Sequence, residues 1–126
     1  MDERLRQSLL YDFYGELLND HQKAMFSAAV FDDMSYSELA EEFDCSRQAA
    51  FDLIRRINKK LEGYEAKLGL LERFSKAKDK MQELSSAVTE MQESVSASDI
   101  EVKIKEQLMN GLQDISSKSA DIFDEF

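Results

Sequence analysis

The sequence predicts an all-α protein, a helix-turn-helix domain followed by a long helical C-terminal extension. Three observations lead there. Proline is absent and glycine occurs only four times in 126 residues, so little interrupts a helix. No stretch of β-branched and aromatic residues keeps a period of two for long, which argues against strands. Apolar residues recur instead at three- and four-residue steps, several times behind a serine or asparagine cap.

The first helix is expected from about Asp2 to Leu18. Leu5, Leu9, Phe13 and Leu17 recur every four residues, and Leu10, Tyr14 and Leu18 form a second row beside them. That face is too wide for a lone surface helix. Asn19 caps a second helix, with Gln22 completing a capping box and Met25, Phe26, Ala29 and Val30 on the buried side. Asp32 and Asp33 mark a turn. Ser35 and Glu38 form a second capping box on a short helix carrying Leu39, Ala40 and Phe43. After a turn at Asp44 and Cys45, Ser46 caps a fourth helix with Ala50, Leu53, Ile54, Ile57 and Leu61 at core spacing.

A small residue where two helices cross, a tight turn and a capped helix with short polar residues at its start make the helix-turn-helix pattern. Ala40 is expected buried at the crossing. Asp44 stands where φ > 0 is usual, a conformation aspartate tolerates. Cys45 is expected to pack inside the turn as a small hydrophobe. The domain is assigned to residues 1–70 and the helical extension to 71–126.

In the extension, Tyr64, Leu68 and Leu71 lead, after a three-residue step, into Phe74, Ala77, Met81, Leu84, Val88, Met91 and Val95, a coiled-coil spacing. The short step resembles a stammer or a bend. SVSAS weakens the helix. Ser98 and Glu101 read as a further capping box, and Ile100, Ile104, Leu108 and Leu112 as the stripe of a last helix. The acidic tail SSKSADIFDEF is expected to fray unless Ile122 and Phe123 dock.

The runs LLYDFYGELLNDHQ and FDDMSYSELAEEFDCSRQAAFDLIRRINKKLEGYEAKLGLLERF resemble the YlxM family of helix-turn-helix proteins over about residues 5–74. The strongest pieces are DFYGELL (12–18), ELAEEFDCSRQA (38–49) and YEAKLGLLERF (64–74). The helix-turn-helix itself is similar to the promoter-reading fourth region of bacterial sigma factors, a sigma-region-four-like arrangement. The resemblance implies a small all-helical protein that acts in or regulates the signal recognition particle pathway, with components of that machinery as partners. From Ser75 onward no motif is recognised.

Composition limits the partners. The net charge is −10, which repels nucleic acid and anionic membranes at long range, so phosphate contact needs a local basic patch. Residues 46–60 supply one: Arg47, Arg55, Arg56, Lys59 and Lys60 stand against the single acid Asp52. In the sigma-like pattern Arg47, Gln48 and Asp52 match base-facing positions; arginine reads guanine and glutamine reads adenine. Asp52 there can only accept, the pairing that suits cytosine's amino group. Phe51 stands where a polar residue is usual and suits packing against a protein. Lys59, Lys60, Arg55 and Arg56 can alternatively pair with acids such as Glu62 and with the acidic second half of the chain, as a solvated face.

Two functions stay open: a regulator that binds DNA or a structured RNA through the fourth helix, and an adaptor that docks a protein through Phe51 and binds no nucleic acid. Nothing supports an enzyme, a cofactor, a small-molecule substrate or a metal centre. His21, the only histidine, lacks ligand partners and is expected at the surface. Acid clusters such as Asp32-Asp33 lack calcium-loop spacing. One cysteine and no membrane-length apolar run point to a cytoplasmic protein. The wide apolar face of the first helix and the stripe from Phe74 to Val95 need cover, so the extension either folds back on itself or pairs with another chain; a homodimer is the expectation.

Overall fold

In a computed structural model, which describes residues 2–124, the chain is all-α, as expected. It runs α1 (Glu3–Tyr14), a 3-10 turn (Gly15–Leu17), α2 (Asp20–Val30), α3 (Tyr36–Glu42), α4 (Arg47–Leu68), α5 (Leu70–Ala97) and α6 (Val102–Asp124). It divides into two compact units, Met1–Arg73 and Phe74–Phe126.

The first helix ends earlier than its apolar pattern suggests. Gly15 lies so close to Tyr11 that a Cβ there would meet the ring at 3.1 Å, and the chain tightens into the 3-10 turn. The first two of the expected capping boxes form. Asn19 Oδ1 accepts from the Gln22 amide at 2.8 Å, and Gln22 Oε1 from the Asn19 amide at 3.0 Å. The Ser35 hydroxyl accepts from the Glu38 amide at 3.1 Å, with Glu38 Oε1 returning to Ser35 at 3.2 Å. Each box satisfies two amides that a helix start otherwise leaves unpaired.

Leu10, Tyr14, Leu18, Met25, Phe26, Leu39, Ala50, Ile54, Ile57, Leu61 and Leu71 build the core of the first unit. Of the two apolar rows on α1, the one containing Leu10 and Tyr14 is buried, while Leu5 and Leu17 remain half exposed. On α2, Ala28 is buried and Ala29 only partly.

The turn between α3 and α4 corrects two expectations. Asp44 takes φ 53°, and the Cys45 amide donates to the Ala40 carbonyl at 3.0 Å, the backbone closure of a helix ending in a left-handed residue. That closure turns Cys45 outward: its side chain is exposed, not packed, and Phe43 covers the core instead. Ala40 is only partly buried, because Leu39 is the residue of α3 that faces α2 and α4 and is fully enclosed.

The helix breaks at Gly69, ahead of the three-residue step at Leu71–Phe74; Gly69 adopts φ 62° while its amide closes on the Glu65 carbonyl at 2.8 Å. The Glu65 side chain then caps the next helix. Its two carboxylate oxygens accept from the amides of Leu71 at 2.9 Å and Glu72 at 3.1 Å. The Tyr14 hydroxyl donates to Glu65 at 2.5 Å and accepts from the Leu70 amide at 3.1 Å. Leu71, 1% exposed, is thereby seated in the core of the first unit.

In the second unit α5 and α6 run antiparallel: a four-residue connection (98–101) joins them, and Met81, Ser85 and Val88 line one cavity with Ser116, Ser119 and Ala120. The expected capping box at Ser98 does not form. α6 begins only at Val102, and the Ser98 hydroxyl points back to the Val95 carbonyl at 2.7 Å. The tail does not fray over its described part; α6 continues to Asp124. Ile122 stays half exposed, and the side chain of Phe123 lies outside the described residues, as do Glu125 and Phe126.

Only part of each apolar stripe is used inside this hairpin. Val88 and Leu112 are buried, but Leu84, Met91, Ile104, Leu108 and Ile115 are exposed. Leu84 and Met91 sit roughly 50° around α5 from Val88, and Leu108 and Ile115 the same angle and sense from Leu112 on α6. In an antiparallel pair, equal rotations bring both exposed rows to the same side, so the hairpin carries one continuous apolar face.

Candidate nucleic-acid interface

Helix α4 is amphipathic in a way its sequence dictates. Ala50, Ile54, Ile57 and Leu61 recur at three- and four-residue steps and bury one side. Arg47, Gln48, Phe51, Asp52, Arg55, Arg56, Lys59 and Lys60 fall on the rest of the circumference; all are exposed except Asp52, which is half buried. The Ser46 hydroxyl accepts from the Ala49 amide at 3.0 Å, so Arg47 and Gln48 are held in the first turn.

These residues form two adjoining patches. Arg47, Gln48 and Phe51 line a shallow depression with Tyr36. Asp52, Arg55, Arg56 and Lys59 line the next one along the helix. Gln48 Nε2 donates to Asp52 Oδ1 at 3.1 Å. The rings of Phe51 and Tyr36 meet edge to face, centroids 5.2 Å apart and planes at 80°. Tyr36 carried no signal in the sequence, because it lies on another helix and only the fold brings it beside Phe51.

Glu62, the acid closest in sequence after this row of cations, is engaged elsewhere. Arg6 holds Glu62 in a two-pronged pair, Nε to Oε1 at 2.7 Å and a terminal nitrogen to Oε2 at 2.7 Å. The Arg6 hydrogen bond keeps the Glu62 carboxyl below its ordinary pKa, against the opposing effect of burial, and raises that of Arg6. Among the described residues no ion pair involves Arg47, Arg55, Arg56, Lys59 or Lys60. Glu62 is thus held by Arg6 and is not paired with the cations of α4.

The remaining side chains singled out from the sequence lie apart. His21 is exposed, with its ring edge-on to Phe43 at 6.0 Å. Among the described residues no group of three His, Cys, Asp or Glu side chains is placed to hold a metal ion. No described helix is long and apolar enough to cross a membrane.

Comparison with known proteins follows the same outline. Residues 1–101 match the family described as "Putative helix-turn-helix protein, YlxM / p13 like". A UPF0122 protein of Halalkalibacterium halodurans is 47% identical over 88 residues, covering 70% of this chain and 81% of that one. One from Listeria welshimeri is 46% identical over 84 residues, covering 67% and 76%. One from Bacillus velezensis is 42% identical over 93 residues, covering 71% and 84%. The family match ends just before α6 begins.

Proposed function

The chain belongs to the YlxM / p13-like family of helix-turn-helix proteins, and we propose that it is a non-enzymatic regulator that binds nucleic acid through α4. The observation that carries this reading is the open cationic row Arg55, Arg56, Lys59 and Lys60, left without acid partners by the Arg6–Glu62 pair. In a protein of net charge −10, such a row attracts phosphate only at close range, so binding is steeply weakened by salt. The first turn, Arg47 and Gln48, meets base edges, and the later turns meet the phosphate backbone. The signal recognition particle pathway is the proposed setting; it is supported by resemblance to the family alone.

The test is a titration of duplex DNA and of structured RNA at several salt concentrations. A steep linear fall of log K with log salt supports the proposal, and no binding at low salt refutes it. The exposed Tyr36–Phe51 pair favours a second reading, a protein adaptor docked at that aromatic edge. It requires loss of a protein partner in Phe51→Ala and no affinity for nucleic acid.

The working form in this proposal is a homodimer. Its support is the continuous apolar face of the α5–α6 hairpin, which a second copy would cover to make a four-helix bundle.

A further inference from the structure

We infer that the first two turns of α4 read an adenine–thymine step in the major groove of duplex DNA, with Gln48 as the adenine contact, Asp52 as the residue that positions it, and Phe51 as the contact to thymine's methyl group. The inference rests on the nucleic-acid reading above and gives it a base preference.

The orientation of Gln48 follows from chemistry. A carboxylate only accepts hydrogen bonds, so the side of the amide that meets Asp52 Oδ1 at 3.1 Å is its NH2 group. One N–H is spent there. The second N–H and the carbonyl oxygen remain, and adenine presents the matching acceptor N7 and donor N6 in the major groove. Gln48 is exposed and one residue inside the capped start of α4, where such helices present side chains to base edges. An exposed glutamine otherwise samples many rotamers, and fixing it in advance removes that loss from binding. Asp52 thus changes character. Read from sequence it is an acid facing a cytosine amino group; in the fold its nearer oxygen is taken by Gln48.

Phe51 supplies the second half. It is 39% exposed, three residues after Gln48 on the same side of α4, and Tyr36 braces its ring from α3. A phenyl group can neither bond a base edge nor pair with phosphate. The group it contacts favourably in the major groove is the C5 methyl of thymine. The two contacts are one helical turn apart and name the same base pairs by independent chemistry. Arg47, at the first helical position, is left for phosphate or guanine.

The test uses the full chain and a pool of duplexes with a randomised central stretch. Bound duplexes are enriched and sequenced, and affinities are measured on the best of them. The enriched set should share adenine–thymine pairs. Gln48→Ala should lower discrimination against guanine–cytosine at one position by roughly five-fold or more. Asp52→Ala should lower it in the same direction by less, and Asp52→Asn, which keeps an acceptor oxygen, should restore it. None of the three should alter the salt slope, whereas loss of a phosphate-contacting cation would. Replacing thymine by deoxyuridine removes only the methyl. It should weaken the parent about four-fold, the worth of one apolar carbon, and leave Phe51→Ala and Phe51→Ser unaffected. Salt-dependent binding without base preference, or indifference of the parent to deoxyuridine, overturns this inference and leaves nucleic-acid binding standing. Absence of any duplex binding overturns both.

Discussion

The hydroxyl of Tyr14 sits between two partners, donating to Glu65 at 2.5 Å and accepting from the Leu70 amide at 3.1 Å. One side chain from the first helix therefore links the end of α4 to the start of α5. Burial raises the Tyr14 pKa, as does its bond to Glu65. On Glu65 burial acts upward, but Tyr14, the amides of Leu71 and Glu72 and the charge of Arg6 outweigh it and leave the carboxyl below its ordinary value. Tyr14→Phe keeps the ring in the core and deletes only these two bonds. It should cost about 1–3 kcal/mol in urea denaturation, the range for leaving buried groups unpaired. A loss within error of zero would show that water replaces the hydroxyl.

Glu65 and Glu62 make the fold acid-sensitive in a defined direction. Both carboxyls are lowered from the ordinary value of 4.5, Glu62 chiefly by Arg6. A lowered folded value means that the contribution is fully present above 4.5 and lost as pH falls through the depressed values. The urea midpoint of the parent should fall as pH drops below 4.5, and that of the Glu65→Gln, Glu62→Gln double variant should fall less steeply. Equal slopes would remove both residues from the acid response.

The crossing of α3 on α4 depends on Leu39. Leu39→Ala should cost about 2–5 kcal/mol, as truncation of an enclosed leucine does. Ala40→Glu should cost less than Leu39→Ala, because a partly exposed position lets the new carboxylate reach water. Thermal melts of the two variants give the order directly, and the reverse order would contradict the packing described.

Arg55→Ala with Arg56→Ala tests the phosphate row. Each neutralised phosphate contributes about −0.9 to the slope of log K against log salt, so the double variant should flatten it by nearly two units. Its melting temperature should stay close to the parent's, since both side chains are exposed and unpaired among the described residues. An unchanged slope would place the nucleic acid elsewhere.

The proposed dimer is tested on the apolar face of the hairpin. Leu108→Lys with Ile115→Lys puts two charges on that face without touching Val88 or Leu112. Sedimentation should show the parent as a dimer at micromolar concentration and the variant as a single chain. A parent that sediments as one chain would rule out the dimer.

What could be read from the sequence was local. The boxes at Asn19–Gln22 and Ser35–Glu38 each lie within one turn, and the left-handed Asp44 follows from residue type. What could not be read depends on long-range packing. Arg6 and Glu62 are 56 positions apart, Tyr14 and Glu65 are 51, and no spacing rule pairs them. Cys45 and Ala40 were misplaced because the pattern gives a turn its shape but not which neighbour covers the core; Phe43 does. In the hairpin the period of the apolar residues was legible. The direction each helix faces was not, since a rotation of about 50° keeps the period and exchanges the inward row for the outward one.

The shared acceptor at Glu65 also dictates how this protein can be cut. A fragment ending at residue 70 retains Tyr14 and Glu65 but lacks the Leu71 and Glu72 amides that balance the carboxylate, and it lacks the leucine that closes the bottom of the core. Such a fragment should be markedly easier to digest with protease than one carried through Arg73, although the two differ by three residues. Those three residues belong to α5 by backbone geometry and to the first unit by what they hold together.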